Sequence, residues 1–173
     1  MMHSSNSGLA HGTSGSPQIT SEQFEYSQKV EENESKLREH HEYLTKKLPQ
    51  GSPIKIPSNA NINEQEKQGY KQVKYTWERG EYKYVSRWHT RTPGAPPDQT
   101  NNWVVERIRP GTGNGPNARP RKHSILIGKT SSGRNVWVDK SEWDAAIRAR
   151  KNGDESQKQK EMLDNGHWKD DRK

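Results

Sequence analysis

A cluster of polar side chains suited to catalysis lies between positions 87 and 91. An imidazole, a hydroxyl and two guanidiniums stand there at the end of an aromatic strand pattern, directly before a proline-rich turn. They belong to Arg87, His89, Thr90 and Arg91. Loops at strand ends often carry function, because a rigid scaffold positions them. Since histidine transfers protons near neutral pH and arginine stabilises charge on a phosphoryl group, the cluster predicts chemistry on a phosphodiester.

Two later strand patterns add further candidates. Arg107 lies near the end of one pattern, and His123 with Ser124 opens another. Cleavage of RNA without a metal ion needs a base for the 2′-hydroxyl, an acid for the leaving oxygen and cations for the phosphorane. The expected catalytic residues are His89, Thr90, Arg91, Arg107 and His123. The alternative for His89 is a structural role, as a turn histidine that is hydrogen-bonded to the backbone.

The sequence contains no recognisable pattern of metal ligands. It has no cysteine, which excludes thiolate zinc sites, and its seven histidines do not form a spacing such as H-E-x-x-H. We therefore expect no metal ion and no cofactor. Most DNA hydrolysis relies on metal ions to activate water, whereas RNA carries its own nucleophile. This chemistry favours RNA over DNA as the substrate.

Charge is distributed unevenly along the chain. Residues 1–66 carry 6 Lys and Arg against 9 Asp and Glu, a net charge of −3, whereas residues 67–173 carry 23 against 13, a net charge of +10. No acidic residue occurs from Arg107 to Val138. A surface of one sign captures polyanions, so nucleic acid is the expected partner, with a basic surface that serves solubility as the alternative. The expected nucleic-acid-binding residues are Arg87, Arg109, Arg119, Arg121, Lys122, Lys129 and Arg134.

The first 66 residues predict a tail, a helix and a linker. Residues 1–18 are rich in Ser and Gly and are expected to be disordered. Thr20 and Gln23 form a capping-box pattern at the start of a helical segment that we expect over residues 19–48. Residues 49–66 are rich in Pro and Asn and are expected to be a linker, with a domain boundary near residue 65.

Residues 67–168 are expected to form a basic α+β effector domain. Alternating aromatic and polar residues predict a β-hairpin over residues 73–89, three more strand patterns follow, and two helices are predicted near the C-terminus. The expected fold is α+β, a small twisted antiparallel sheet of four to five strands with two C-terminal helices, preceded by a long N-terminal helix and the linker. Residues 169–173 are expected to be a charged tail.

Strand alternation assigns the hairpin side chains to two faces. If the aromatic face is the core face, then Arg87, His89 and Arg91 share the opposite, exposed face. The tryptophans at alternating strand positions are expected to pack in the core rather than to serve as platforms for stacked bases. They are Trp77, Trp88, Trp103 and Trp137.

Several motifs together resemble a known group of domains. They are Y-K-x-V-x-Y-x-W from Tyr70, Y-x-Y-x-x-R-W-H-T-R-T-P-x-A-P from Tyr82, W-V-V-E-R from Trp103, W-x-x-A-I-x-A-R-K-N-G from Trp143, and the closing G-H-W from Gly166. Across roughly residues 69–168, the chain resembles the C-terminal toxin domains of bacterial polymorphic and contact-dependent toxins.

The resemblance implies a function and a set of partners. Such domains are commonly small nucleases, many of which act on tRNA or rRNA, and a dedicated immunity protein neutralises each one. Several share a compact α+β ribonuclease fold whose sheet carries His, Arg, Lys, Ser or Thr, which here points to the five catalytic candidates named above. Because the N-terminus lacks the apolar stretch of a signal peptide, we expect secretion, or delivery into the cytoplasm of a target cell, by a route that is not visible in the sequence.

Two other classes of function remain open from the sequence. A non-enzymatic nucleic-acid-binding module would use the same basic surface without turnover. A structural or interaction domain would use the thin heptad stripe formed by Val30, Leu37 and Leu44 on the predicted N-terminal helix. The chain has no apolar run long enough to span a bilayer, so no membrane insertion is expected.

Overall fold

The structure, a computed structural model, describes residues 18–172, and the chain separates into two compact units, Met1–Lys47 and Leu48–Lys173. All but the last residue of the expected disordered tail lies outside the described residues. In the first unit, helix α1 spans Ser21–Glu42 and continues into a π-helical turn, Tyr43–Lys47. The predicted capping box is confirmed, because the Thr20 hydroxyl accepts from the Gln23 amide and the Gln23 side chain accepts from the Thr20 amide.

The second unit is built on an antiparallel sheet in which six strands follow one another in chain order. They are β1 (Asn61–Lys67), β2 (Tyr70–Arg79), β3 (Tyr82–His89), β4 (Asn102–Arg109), β5 (Lys122–Lys129) and β6 (Asn135–Asp139). A two-residue strand, β7 (Trp168–Lys169), pairs with the start of β4. The α+β class is confirmed, but the sheet has seven strands where four to five were expected.

Strand β1 lies in the segment that was expected to be a linker. It forms an edge of the sheet and pairs only with β2, so its Asn, Gln and Glu side chains stay in contact with solvent. A short 3₁₀ helix, Leu48–Gly51, also belongs to this unit, and Leu48 is buried. The boundary between the units therefore follows Lys47 instead of lying near residue 65. Its polar composition gave no strand pattern in the sequence, because an edge strand such as β1 needs few apolar residues.

One face of the sheet, here called the aromatic face, carries large rings. Trp103 is fully buried and packs against Tyr75, with ring centroids 5.9 Å apart. The segment after the 3₁₀ helix contacts this face, since the Ser52 and Ser86 hydroxyls lie 2.8 Å apart. The predicted core positions Trp77, Trp88 and Trp103 are indeed buried.

The opposite face, here called the helical face, carries two helices, which pack against β4, β5 and β6. Helix α2 spans Lys140–Lys151 and helix α3 spans Gln157–Gly166. Their apolar side chains form one core with those of the sheet, and that core comprises Val104, Ile125, Trp143, Ala146 and Leu163. This packing leaves polar groups of the helical face at the margins of the core.

Asp170 and Arg172 near the C-terminus form a hydrogen-bonded cluster on the aromatic face, here called the clasp, although a charged tail was expected there. Asp170 is 7% exposed, and its carboxylate accepts a hydrogen bond of 3.0 Å from the Trp103 indole. Arg172 binds the same carboxylate and donates to the Leu48 carbonyl at 2.9 Å. Hydrogen bonds from Arg172 lower the pKa of Asp170 below its usual value. The clasp thus joins both ends of the second unit.

We expect Asp170→Ala to lower the free energy of unfolding by about 1–3 kcal/mol, because the buried Trp103 donor would lose its acceptor. Urea denaturation followed by tryptophan fluorescence measures the change. Asp171→Ala removes the same charge from the exposed neighbour and serves as the matched control. Equal stability of the two variants would contradict the role given to the clasp.

Candidate active site

A carboxylate lies in the interior of the helical face. Glu106 stands in the middle of β4, between its register partners Val85 and Ile125, and is 6% exposed. An ionised carboxylate removed from water is stable only when charged or hydrogen-bonding groups compensate for the lost hydration. The side chains around Glu106 therefore identify the groups that compensate its carboxylate for the lost hydration.

Two side chains from the neighbouring strands bind the two oxygens of Glu106. Arg87 of β3 donates from Nη2 to Oε2, and Nε2 of His123 of β5 lies 2.6 Å from Oε1. Arg87 follows Val85 by two residues and His123 precedes Ile125 by two, so both share the face of Glu106 and reach it diagonally. Three adjacent strands thus assemble an Arg87–Glu106–His123 triad.

The contact with Glu106 fixes the orientation of the His123 ring. Burial, followed by the positive charges of Arg121 and Lys140, lowers the pKa of His123 below its usual value of 6.5. In its neutral form the ring donates its Nε2 hydrogen to the Glu106 carboxylate, which can only accept, and keeps a lone pair on Nδ1. A neutral imidazole whose tautomer is held by a carboxylate is the arrangement of a general base.

His123 opens onto a cleft of about 410 Å³ at the end of β4 and β5. The cleft is lined mainly by cationic and polar side chains, and its lining consists of Arg109, Pro120, Arg121, Lys122, His123, Asp139, Lys140 and Ser141. The His123 side chain is 18% exposed, so it is accessible yet shielded from bulk water. An anionic group in this cleft would meet several cations together with the imidazole.

The other members of the 87–91 cluster have structural contacts. Thr90 Oγ1 accepts from the Lys71 amide at 2.9 Å, and Arg91 donates to the carbonyls of Ala95 and Pro96 in the following turn. His89 Nδ1 lies 3.1 Å from the Thr90 carbonyl, and its ring meets Tyr70 edge-on. These contacts agree with the alternative reading of His89 as a turn histidine.

The expected open face for Arg87, His89 and Arg91 is not present. Arg87 and His89 do share a face, as strand alternation predicts, but both are half-buried and Arg87 is paired with Glu106. Arg91 lies beyond the end of β3 and does not join them.

Arg107 lies on the opposite side of the sheet from the triad. Its guanidinium carbon is 4.5 Å from the centre of the Tyr82 ring and 4.3 Å from that of the Trp137 ring. The structure therefore does not bring the five catalytic candidates together. Of the five, only His123 belongs to the triad.

The seven expected nucleic-acid-binding residues occupy different environments. Arg87 is paired with Glu106, Arg119 with Glu81 at 3.2 Å, and Lys129 donates to the Pro53 carbonyl. Arg109, Arg121 and Lys122 line the cleft beside His123. Arg134 is exposed in the turn before β6. A cationic surface is thus retained around the cleft, while Arg87 is part of the site interior.

Sequence reasoning gave no role to Glu106 and did not single out Lys140. The available signal for Glu106 was an acidic residue within the apolar strand sequence W-V-V-E-R-I, where a charge requires a partner. No comparable signal existed for Lys140, because its place beside His123 depends on the packing of α2.

Two partly buried histidines, in addition to His123, predict acid sensitivity. Burial lowers the pKa values of His89 and His167 below 6.5, so the unfolded chain binds protons that the folded state does not. Their contribution to stability is complete above about pH 6.5 and is lost as the pH falls below that value, with a slope of at most about 1.4 kcal/mol per pH unit for each group. Asp170 and Asp164 titrate from a reference of 3.8, below this window.

Urea denaturation at pH 7.5 and 5.5 measures this dependence. We expect the wild type to lose stability between these values, and the variant carrying His89→Gln and His167→Gln to lose less. Asn63→Gln, which changes an exposed residue of β1 that does not titrate, is the control and keeps the wild-type dependence. A loss of stability that is the same in all three proteins would contradict the assignment.

Among residues 18–172, no group of three or more His, Asp or Glu side chains is arranged to hold a metal ion. The described helices include none that is long and apolar enough to cross a membrane. Comparisons of the chain with protein-family models, with curated proteins and with solved structures gave no significant match. The geometry of the site is therefore the basis for the functional interpretation.

Proposed function

We propose that the protein is a bacterial toxin domain with metal-independent endoribonuclease activity on tRNA or rRNA, neutralised by a cognate immunity protein. The observation that carries this proposal is the Arg87–Glu106–His123 triad beside a cationic cleft. A resemblance of residues 69–168 to toxin domains supports the toxin role. Delivery into the cytoplasm of a target cell is part of the same proposal.

The proposed reaction uses the 2′-hydroxyl of RNA as the nucleophile. His123 takes the 2′-hydroxyl proton on Nδ1 while the 2′-oxygen forms a bond to phosphorus and the bond from phosphorus to the 5′-oxygen breaks. The leaving 5′-oxygen takes a proton from water in the cleft, and the hydroxide that remains takes the proton from the His123 imidazolium, which restores the neutral base. The products are a 2′,3′-cyclic phosphate and a free 5′-hydroxyl.

The remaining residues have supporting roles in this proposal. Glu106 holds the His123 tautomer and stabilises the imidazolium that forms, while Arg87 fixes the second oxygen of Glu106. Arg121, Lys122 and Lys140 lie where the phosphate would bind and would stabilise the charge that develops on it.

A second candidate function is a nucleic-acid-binding module without turnover. The observation that favours it is the loop Pro110–Pro120, every residue of which is exposed, bordered by the cations of the cleft. Such a module would bind with an affinity that falls steeply with salt, because bound phosphates release counterions.

Induced expression in bacteria separates the two candidates. We expect the full chain to arrest growth and to leave fragmented tRNA or rRNA, and the His123→Gln variant to be harmless at the same expression level. Co-expression of the adjacent gene is expected to restore growth if that gene encodes the immunity protein. Harmless expression of the wild type with intact RNA would favour the binding module.

A further inference from the structure

Arg107 is held between two aromatic rings on the aromatic face of the sheet. The guanidinium carbon lies 4.5 Å from the centre of the Tyr82 ring and 4.3 Å from that of the Trp137 ring. Attraction between the cation and the ring faces fixes the plane of the guanidinium. The two rings, and not a carboxylate, therefore position the positive charge of Arg107.

The donors of Arg107 are not used within the described part of the protein. Among residues 18–172, no side-chain hydrogen bond or ion pair engages the Arg107 guanidinium, and its Nε is buried without an acceptor. The Nε of Arg109, two residues further along β4, is buried and unpaired in the same way. The buried Nε atoms are out of reach of an outside acceptor, but the terminal Nη nitrogens of Arg107 and Arg109 are not among the buried unpaired atoms and can donate to one. Phosphate oxygens match the fork of a guanidinium.

Partly exposed rings surround Arg107. Tyr82 and Tyr84 have centroids 6.0 Å apart, and Tyr84 and Trp137 have centroids 6.4 Å apart. Trp137 is half-buried, whereas the other three strand tryptophans are buried, so the expectation that it belongs to the core holds only in part. Accessible aromatic rings at a cationic surface stack on the bases of single-stranded nucleic acid.

The Tyr82–Arg107–Trp137 stack is connected to the cleft. Arg109 lines the cleft together with His123, and Arg107 lies on the same face of β4 as Arg109, about 7 Å away along the strand. A chain of phosphates that leaves the cleft past Arg109 would next reach Arg107. The loop after β4 has no acidic residue, and Glu81, which lines a pocket with Tyr82 and Arg109, is paired with Arg119 at 3.2 Å.

We propose that the Tyr82–Arg107–Trp137 stack is a subsite for single-stranded RNA outside the catalytic cleft. Arg107 and Arg109 bind backbone phosphates, and the rings of Tyr82, Tyr84 and Trp137 stack on unpaired bases. The identity of the substrate as RNA rests on the proposed ribonuclease function. Since bases within a duplex do not expose their faces, the subsite selects single-stranded segments of the substrate. Arg107 is then a binding residue and not a catalytic one.

Binding of a short single-stranded DNA oligonucleotide, followed by fluorescence anisotropy, tests the subsite. This probe lacks the 2′-hydroxyl and cannot be cleaved by the proposed reaction. We expect Trp137→Leu to weaken binding about tenfold, as for the loss of one stacked base. We expect Arg107→Met to weaken it about tenfold and to reduce the salt dependence, the slope of log K against log salt, by about 0.7.

Two further variants serve as controls, one for the loss of a positive charge and one for the loss of the planar stack. Lys158→Met removes one positive charge from the exposed side of α3 and is expected to leave affinity and salt dependence nearly unchanged. Arg107→Lys retains the charge but loses the planar stack, so we expect weaker binding with the wild-type salt dependence. Thermal unfolding of each variant identifies any that fails to fold.

The outcomes distinguish the subsite from the ribonuclease. If Arg107→Met and Trp137→Leu fold and bind as tightly as Lys158→Met, or if the wild type binds duplex better than single strands, the subsite proposal is overturned. If these variants bind weakly but the wild type cleaves no RNA, the subsite stands and the ribonuclease proposal fails. If the wild type cleaves RNA, we expect Arg107→Met and Trp137→Leu to raise KM about tenfold and to keep kcat within about twofold of the wild-type value.

Discussion

The His123→Gln variant is expected to cleave RNA about 10²- to 10⁴-fold more slowly than the wild type. Glutamine can still donate a hydrogen bond to Glu106, so the fold should be kept while the basic nitrogen is removed. The loss should appear in kcat, because the cations that line the cleft remain in place. Single-turnover cleavage of a labelled oligoribonucleotide measures the rate.

The matched control for this variant is His89→Gln. His89 is also a partly buried histidine whose pKa is lowered by burial and by the positive charge of Arg87. It contacts the Thr90 backbone, however, and lies outside the triad. We expect it to cleave RNA within about threefold of the wild type, well short of the loss expected of a general base. Equal activity of His123→Gln and wild type, or a large loss in His89→Gln alone, would refute the assignment of the base.

The pH profile gives an independent readout. Because burial and nearby cations lower the pKa of His123 below 6.5, kcat/KM should rise with pH to a plateau, with the midpoint of the rise below pH 6.5. A rise centred well above pH 7 would show that another group is the base.

The Glu106→Leu variant is expected to lose both activity and stability. It leaves Arg87 without its carboxylate and His123 without its hydrogen-bond acceptor. We expect the free energy of unfolding to fall by about 3 kcal/mol, the low end for breaking a buried pair, because the Arg87 side chain is 30% exposed. Cleavage should fall by at least about 10²-fold, since the His123 tautomer is no longer held.

A double variant separates these two effects. Arg87→Met combined with Glu106→Leu replaces the ion pair by apolar side chains of similar size, which is often neutral for stability. We expect it to recover most of the lost stability but none of the activity. If the double variant cleaved RNA at the wild-type rate, Glu106 would have only a structural role. Urea denaturation and the same cleavage assay measure both quantities.

Periodicity in the sequence was sufficient for much of the sheet and failed where packing gave no compositional signal. The alternation of Val73, Tyr75 and Trp77 identified β2, because one face of that strand is buried. Strand β1 carries mostly polar side chains at an edge and was assigned to a linker. Asp170 was placed in a tail, because nothing local indicates that its carboxylate meets the Trp103 indole.

The candidate site was only partly predictable for a related reason. Alternation correctly placed Arg87 and His89 on one face, but it does not tell which face the helices cover. His123 and Glu106 lie 17 residues apart in sequence, and their contact depends on the pairing of β4 with β5. Arg107 was grouped with the catalytic candidates by residue type, whereas strand register places it on the aromatic face.

The most direct test of the central claim is cleavage of RNA by the purified full chain in the presence of EDTA, with analysis of the product ends. A pair of oligonucleotides is used, one all-ribose and one with a single 2′-deoxy nucleotide at the cleavage position. We expect cleavage of the first to a 2′,3′-cyclic phosphate and a 5′-hydroxyl, and no cleavage of the second at that position. Absence of RNA cleavage, or equal cleavage of both, would contradict the central claim.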